Sequence, residues 1–392
     1  MEITFRHYLR WFFGTVVIIC AGIILFNYKI DPFSIYHPVD YVRIGWRDSK
    51  SEAFSASTIM RLNKAFILKS NAERHAPIHE YLILGNSRSM CGIDPTNPLF
   101  QGKAFNGGMP GATMYEIFRY LQHANALHPI HHVILSLDYI MFNPERKVLV
   151  DFDEDRLAVT PEGKKNYLYY VHDLPSTLLS WDALKKSYEN TSFGKKKEMG
   201  PPPNQIESLN AFQHSVVHEV EEIKSFKNKS PREGEMLQEY QKFLKYCSQN
   251  KIEVHVFISP IHVYNFLVPE FLNHNIFVEQ WKREITRINQ EEGLPVGSCI
   301  DFSGFNRYTS EPVEGMITEM KWYYESSHYK PMIGAQILEQ LENKNLDPTF
   351  GRVITADNIE QVLEAIRTER KVYGEKNAAD VERVQKWVLE CP

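Results

Sequence analysis

The sequence predicts an α/β protein: a three-layer α/β/α sandwich on a parallel central sheet, with one N-terminal transmembrane helix. Three observations carry that prediction. Short apolar runs of strand length recur along the chain with helix-length segments between them. Parallel neighbours need crossovers of that length, which run right-handed and cover both faces of a sheet. Near the N-terminus, Trp11 to Phe26 is an unbroken stretch without a charge, close to the length that spans a bilayer. The composition, 392 residues with 43% hydrophobic and 24% charged, supports the core of one large domain or two smaller ones and excludes a disordered or fibrous chain. A formal net charge of −5 provides no basic surface of the kind that draws nucleic acid.

Residues 1–30 form the cytoplasmic tip and anchor. Arg6, His7 and Arg10 precede the apolar stretch, so the positive-inside rule keeps the first residues cytoplasmic and places the main domain outside the membrane, in the periplasm of a Gram-negative cell. A cleaved signal peptide is the poorer fit, because Phe26-Asn27-Tyr28-Lys29 offers no small-x-small cleavage site. Residues 31–75 make a connector with Asp31-Pro32 and His37-Pro38, then a helix around Ser55 to Ser70.

The main domain, 76–345, begins with a buried strand at Tyr81–Leu84, a helix over Thr113–Leu127 and a strand at His132–Leu137. A polar insertion at about 143–231 carries Lys195 to Lys197 and Pro201 to Pro203. The core resumes with a helix over Gly234–Asn250, a strand over Glu253–Ser259, a helix from about Pro269 to Gln290, a short strand at Cys299–Phe302 and a helix over Pro331–Leu341. Residues 346–392 form a C-terminal extension of one or two surface helices. Cys91, Cys247, Cys299 and Cys391 fall in the exported part; a Cys247–Cys299 bridge is conceivable, and burial as small apolar residues serves as well.

Two short segments carry the chemistry. Leu84-Gly85-Asn86-Ser87-Arg88 ends the first apolar strand, and Glu325-Ser326-Ser327-His328-Tyr329 lies late in the chain. A serine at the carboxyl end of a parallel strand sits where open α/β sheets place their ligands, although a serine capping the next helix uses the same position. His328 is the candidate base for Ser87, and Glu325, three residues earlier, can reach the imidazole and fix its tautomer. A solvated acid at a helix start explains Glu325 equally simply. The pattern is not the Gly-x-Ser-x-Gly elbow of α/β-hydrolases, because position 89 is Ser. His128, His131 and His132 read better as a polar turn than as a metal site.

Gly85-Asn86-Ser87, Phe105-Asn106-Gly107-Gly108, Leu135-Ser136-Leu137-Asp138-Tyr139 and Glu325-x-x-His328 resemble, in order and spacing, the blocks of the SGNH/GDSL hydrolase superfamily. The likeness is strongest to its membrane-anchored branch, the proteins similar to the teichoic-acid D-alanyl transfer protein and the alginate O-acetylation proteins. It covers roughly residues 75 to 345.

The resemblance implies a serine esterase or O-acyltransferase acting on acyl, chiefly acetyl, groups of a cell-envelope or exported polysaccharide, with no cofactor or metal. It also implies a multi-pass membrane acyltransferase as partner. It assigns Ser87, His328 and Glu325 as catalytic, and an oxyanion hole to the backbone N–H groups of Ser87 and Gly107 or Gly108, with a side-chain amide from Asn106 or Asn86. From the residues themselves, Arg88 would meet an anionic substrate such as a uronic acid or pair with a local acid, and Tyr139 and Trp322, with Phe142, Tyr323 and Tyr324, would form a sugar-stacking rim or serve equally as core and wall aromatics. The sequence departs from the family at Glu325, where Asp is commoner, and at Asp138, where an ionised carboxylate cannot donate to an oxyanion. Those departures leave a catalytically silent, glycan-binding or scaffolding domain as the alternative.

Overall fold

The computed structural model describes residues 2–33, 36, 60–73, 80–171, 173–191, 208–313, 320–343, 347 and 349–391. Its helices in chain order are α1 (Glu2–Ile30), α2 (Met60–Glu73), α3 (Ser87–Gly92), α4 (Met114–Leu127), α5 (Leu174–Leu178), α6 (Trp181–Glu189), α7 (Ser208–Lys224), α8 (Met236–Gln249), α9 (Val263–Phe271), α10 (Asn275–Glu291), α11 (Pro331–Asn343), α12 (Ile359–Lys376) and α13 (Ala378–Glu390). The strands are β1 (Tyr81–Leu84), β2 (Ala104–Asn106), β3 (His132–Leu137), β4 (Glu253–Ile258), β5 (Cys299–Asp301) and β6 (Arg352–Val353).

The strands form one sheet in the order β2-β1-β3-β4-β5-β6. The first five run parallel, and β6 pairs antiparallel with β5. Leu82, Ile83 and Leu84 of β1, Val133 to Leu135 of β3 and Val256 and Phe257 of β4 are buried, the near-continuous apolar runs that a parallel sheet covered on both faces requires. The step from β1 to β2 runs opposite to the steps from β2 through β3 and β4 to β5. Right-handed crossovers therefore put α3 on one face and α4, α8 and α10 on the other. Contacts follow that division: α8 packs on α4 and α10, and α3 packs on α11.

The fold is mixed α/β as predicted, with three differences of detail. The helix expected from Pro269 is two helices, α9 and α10, broken where Asn273 takes a left-handed φ of 54°. Pro269 falls inside α9 rather than opening a helix. The edge strands β2 and β6, three and two residues long, are too short to show a period, and β6 carries the sheet into the segment assigned to the extension. The insertion contributes α7, which packs on α9 and α13. The Lys195–Lys197 and Pro201–Pro203 runs, His37-Pro38 and residues 55–59 of the expected second helix lie outside the described residues.

The helix Phe5–Ile30 is long and apolar enough to cross a membrane, and its apolar residues face outward. All five cysteines are unbonded, Cys247 and Cys299 included. Burial pushes the Cys91 and Cys299 thiols up to about 12.

Candidate active site

Strand β1 delivers Ser87 to the carboxyl edge of the sheet. Gly85 turns the chain at φ +147°, and a Cβ there would lie 2.6 Å from Ser89 Oγ and 2.8 Å from Ser136 Cβ, so only glycine fits this turn. Asn86 caps α3, its Oδ1 accepting from the Arg88 backbone N–H at 2.9 Å. Ser87 is the first helical residue, with its N–H among those that have no intrahelical acceptor.

The second segment arrives as a tight loop. Tyr323 and Tyr329 form an antiparallel bridge, the Tyr324 N–H donates to His328 O at 2.9 Å and the Lys330 N–H donates to Trp322 O at 2.8 Å. Residues 325–328 occupy the tip. Glu325 accepts the backbone N–H groups of Ser327 at 2.6 Å and His328 at 3.0 Å, and its carboxylate also meets His328 Nδ1. His328 Nε2 lies 2.8 Å from Ser87 Oγ. Carboxylate, imidazole and hydroxyl thus form one chain in which Nδ1 carries the proton and Nε2 accepts from the serine, the tautomer its partners dictate.

Burial alone would raise the Glu325 pKa. Its closeness to His328, with hydrogen bonds from His328, Ser215 and the Ser327 N–H, outweighs that and holds it down to about 2.

The glycine side of the turn differs from expectation. The Gly107 N–H donates to Ile83 O at 2.7 Å, and the Gly108 N–H donates to Asn106 Oδ1 at 2.9 Å. The Asn106 amide donates to Ser89 O at 3.1 Å and Ile93 O at 2.8 Å. The Asn106 amide clamps α3 onto β2 and the Gly107 N–H holds the turn to β1, so Gly107, Gly108 and Asn106 present no open donor to an oxyanion. Donors left at the turn are the Ser87 N–H and the Asn86 amide nitrogen.

Of the three candidate substrate contacts, Arg88 takes the local-acid alternative, Tyr139 the core one, and Trp322 stays partly exposed. Arg88 is buried, 3% exposed, and points into the protein. Its guanidinium pairs with Asp138 at 2.7 Å and Glu219 at 2.9 Å, while Nε donates to Ser327 Oγ at 3.0 Å. Burial opposes its charge, and the two carboxylates more than restore it. Tyr139 is buried, stacked on Phe226 with centroids 4.6 Å apart, its hydroxyl 2.8 Å from His274 Nε2. Trp322 alone of the three is half-buried, with its ring against Tyr308 and Lys321 Nζ 4.3 Å from the ring centroid.

Asp138 accepts from Arg88 and from Ser259 Oγ at 3.1 Å. Its charge has a structural use: it helps to hold the residue next to Ser87. Glu219, the second acid on Arg88, was not anticipated. It sits on α7 beside the buried Phe212, Val216, Val220 and Ile223, and an acid inside an apolar stripe was the signal available. Burial raises its pKa and Arg88 pulls it back. Asn265 Nδ2 donates to Glu219 at 3.2 Å, and Asn265 Oδ1 accepts from Ser326 Oγ at 2.5 Å, which returns the network to the His328 loop.

Glycine contacts set how closely the two halves approach. A Cβ at Gly92, the last residue of α3, would collide with the Tyr329 ring, and one at Gly334 of α11 would collide with Gly92 O. The helix that carries Ser87 and the helix that follows His328 therefore touch backbone to backbone.

Among the described residues, no group of three or more His, Cys, Asp or Glu is arranged to hold a metal ion. The arrangement is that of a serine with an acid-oriented imidazole, at the carboxyl edge of a mostly parallel α/β sheet. No protein-family model matches the chain, and no curated protein matches it.

Proposed function

We propose that this protein is a membrane-anchored serine esterase or O-acyltransferase with an SGNH-like three-layer domain outside the cytoplasmic membrane. Its substrates are acyl groups, chiefly acetyl, on a cell-envelope or exported polysaccharide. The observation that supports this most is the chain Glu325–His328–Ser87, with 2.8 Å between Nε2 and Oγ, which is the reach general-base activation of a hydroxyl requires.

In the first step His328 Nε2 takes the hydroxyl proton as Ser87 Oγ bonds to the ester carbonyl carbon. The C–O bond to the leaving alcohol then breaks, and His328 returns the proton to that oxygen. Water or a sugar hydroxyl resolves the acyl-serine by the same steps in reverse, giving hydrolysis or transfer. Glu325, ionised at any ordinary pH, stabilises the imidazolium. The Ser87 N–H and the Asn86 amide serve the oxyanion. The reaction needs no metal or organic cofactor, and a multi-pass acyltransferase is the partner that would supply acyl groups across the membrane.

The internally bonded donors of Asn106, Gly107 and Gly108 favour a second reading, an SGNH-like domain that binds glycan or scaffolds an envelope assembly without turnover. Full-length protein in nanodiscs, given p-nitrophenyl acetate and a fluorophosphonate probe, decides between them. Labelling that disappears in both Ser87→Ala and His328→Ala supports the enzyme. A folded wild type that neither labels nor turns over supports the scaffold.

A further inference from the structure

Two short helices pack where the apolar helix α1 ends. Helix α1 is exposed along its apolar length and then abruptly becomes protein-bound. Leu25 is 67% exposed, whereas Asn27 is fully buried with its side-chain amide donating to Leu178 O at 2.9 Å. Leu178 ends α5, and Tyr36 OH bonds Thr177 Oγ1 at 2.6 Å one residue earlier. Ala183 of α6 packs with Phe33 just past α1. Helices α5 and α6 are thereby fixed to the point where the span ends, a level marked on α1 itself by the exposed Tyr28 and Lys29.

The outer side of this small unit carries large apolar side chains interspersed with the exposed Asp182, Lys185 and Glu189. Trp181 is 77% exposed and Tyr188 57%. With the exposed Lys185 they occupy positions i, i+4 and i+7 of α6, one helical face, opposite the buried Ala183 and Ser187. Leu179 and Leu174 are exposed beside them, and Tyr167 is 76% exposed on the approach to α5. Aromatic rings with a lysine between them are the composition of the bilayer interface, where an amphipathic ring or a snorkelling lysine reaches both phases. Apolar side chains clustered this openly on a water-facing surface would be costly to leave uncovered.

We propose that α5 and α6 are a membrane-docking foot, with Trp181, Leu179 and Tyr188 inserted into the interface of the leaflet from which α1 emerges. The foot rests on the reading of α1 as a span. It fixes the domain's tilt on the bilayer, which a single helix followed by a flexible tether would not do.

The test uses the full-length chain in nanodiscs made with plain lipid or with lipid brominated near the headgroup, where bromine quenches tryptophan it touches. The chain has six tryptophans, so each contribution is read as the difference between wild type and Trp181→Phe, or wild type and Trp11→Phe. Quenching of both Trp11 and Trp181 is expected, with loss of the Trp181 quenching in Leu179→Asp. Quenched Trp11 with unquenched Trp181 overturns the foot and leaves the span standing. The foot is equally overturned where Trp181 emits as a water-exposed residue and where it is covered by a second copy in discs holding two chains. If neither tryptophan is quenched, the span fails and the foot with it.

Discussion

On one side of Ser87, the loop 325–328 turns an imidazole nitrogen toward the hydroxyl; on the other, Asn106 to Gly108 turn their polar groups back into the backbone. Both segments are short, polar and rich in turn residues. What separates them is where their hydrogen bonds end. In the loop, the Glu325 carboxylate takes up the local N–H groups and His328 Nδ1, which leaves His328 Nε2 to face Ser87 across the gap. In the glycine segment, the Asn106 amide is itself the clamp, bonding Ser89 O and Ile93 O. A polar side chain near a nucleophile is available for chemistry only when something else satisfies the backbone around it.

Breaking the loop side gives the largest effect. Ser87→Ala and His328→Ala are each expected to cut fluorophosphonate labelling and ester turnover by about 10³-fold or more, read by gel and by absorbance on folded protein. Next is Arg88→Met, which leaves Asp138 and Glu219 buried without their cation. Loss of one partner of a buried ion pair costs about 3–5 kcal/mol, so a drop in the chemical-unfolding midpoint is expected, with Arg88→Lys recovering part of it. Glu325→Gln keeps the size of the side chain and removes the charge that orients His328. The labelling rate should fall about 10⁴-fold, with a lower melting temperature because an amide cannot accept from Ser327 N–H, His328 N–H and His328 Nδ1 together.

The glycine side should respond in the opposite sense. Asn106→Ala orphans two carbonyls and the Gly108 N–H, costing about 1–3 kcal/mol of stability, while kcat on the folded fraction stays within a few-fold. A loss of 10²-fold or more in kcat, the signature of a removed oxyanion donor, would overturn the clamp assignment.

A last comparison separates His328 from three buried histidines outside the Glu325–His328–Ser87 chain. Burial holds His123, His262 and His274 down to about 4, outweighing the carbonyls of Ala65 and Glu311 that favour the charged forms of the first two. In the unfolded chain each titrates near 6.5. The unfolded state therefore binds more protons between those values. The stability they contribute is complete above about 6.5 and declines as pH falls toward 4, by at most about 1.4 kcal/mol per pH unit for each. Urea midpoints measured at successive pH values should follow that slope. The acid limb of labelling on still-folded protein should instead persist unchanged in His274→Gln.

Much of the frame was legible in the sequence because strands β1, β3 and β4 are apolar runs bounded by helix-length segments. The Ser87 and Glu325–His328 segments were legible as local patterns, and their meeting across 241 positions rests on the sheet order. What did not show was long-range burial. Arg88 and Tyr139 could each be read as a substrate contact or as an interior group, because nothing nearby in sequence reveals Glu219 and Phe226, which cover them from α7 and the turn after it. The α9–α10 break was hidden because Pro269 looked like a helix start, whereas the interruption falls on Asn273 four residues later.

The contact between Gly92 and Gly334 has the character of a mechanical stop. Most catalytic spacings are set by side chains, which can shift rotamer and absorb an error. Here two main chains bear on each other, so the gap between the helix that carries Ser87 and the helix that follows the His328 loop is machined to the thickness of a peptide group. A single methyl at either position would act as a shim, and the tolerance it would exceed is smaller than the methyl itself.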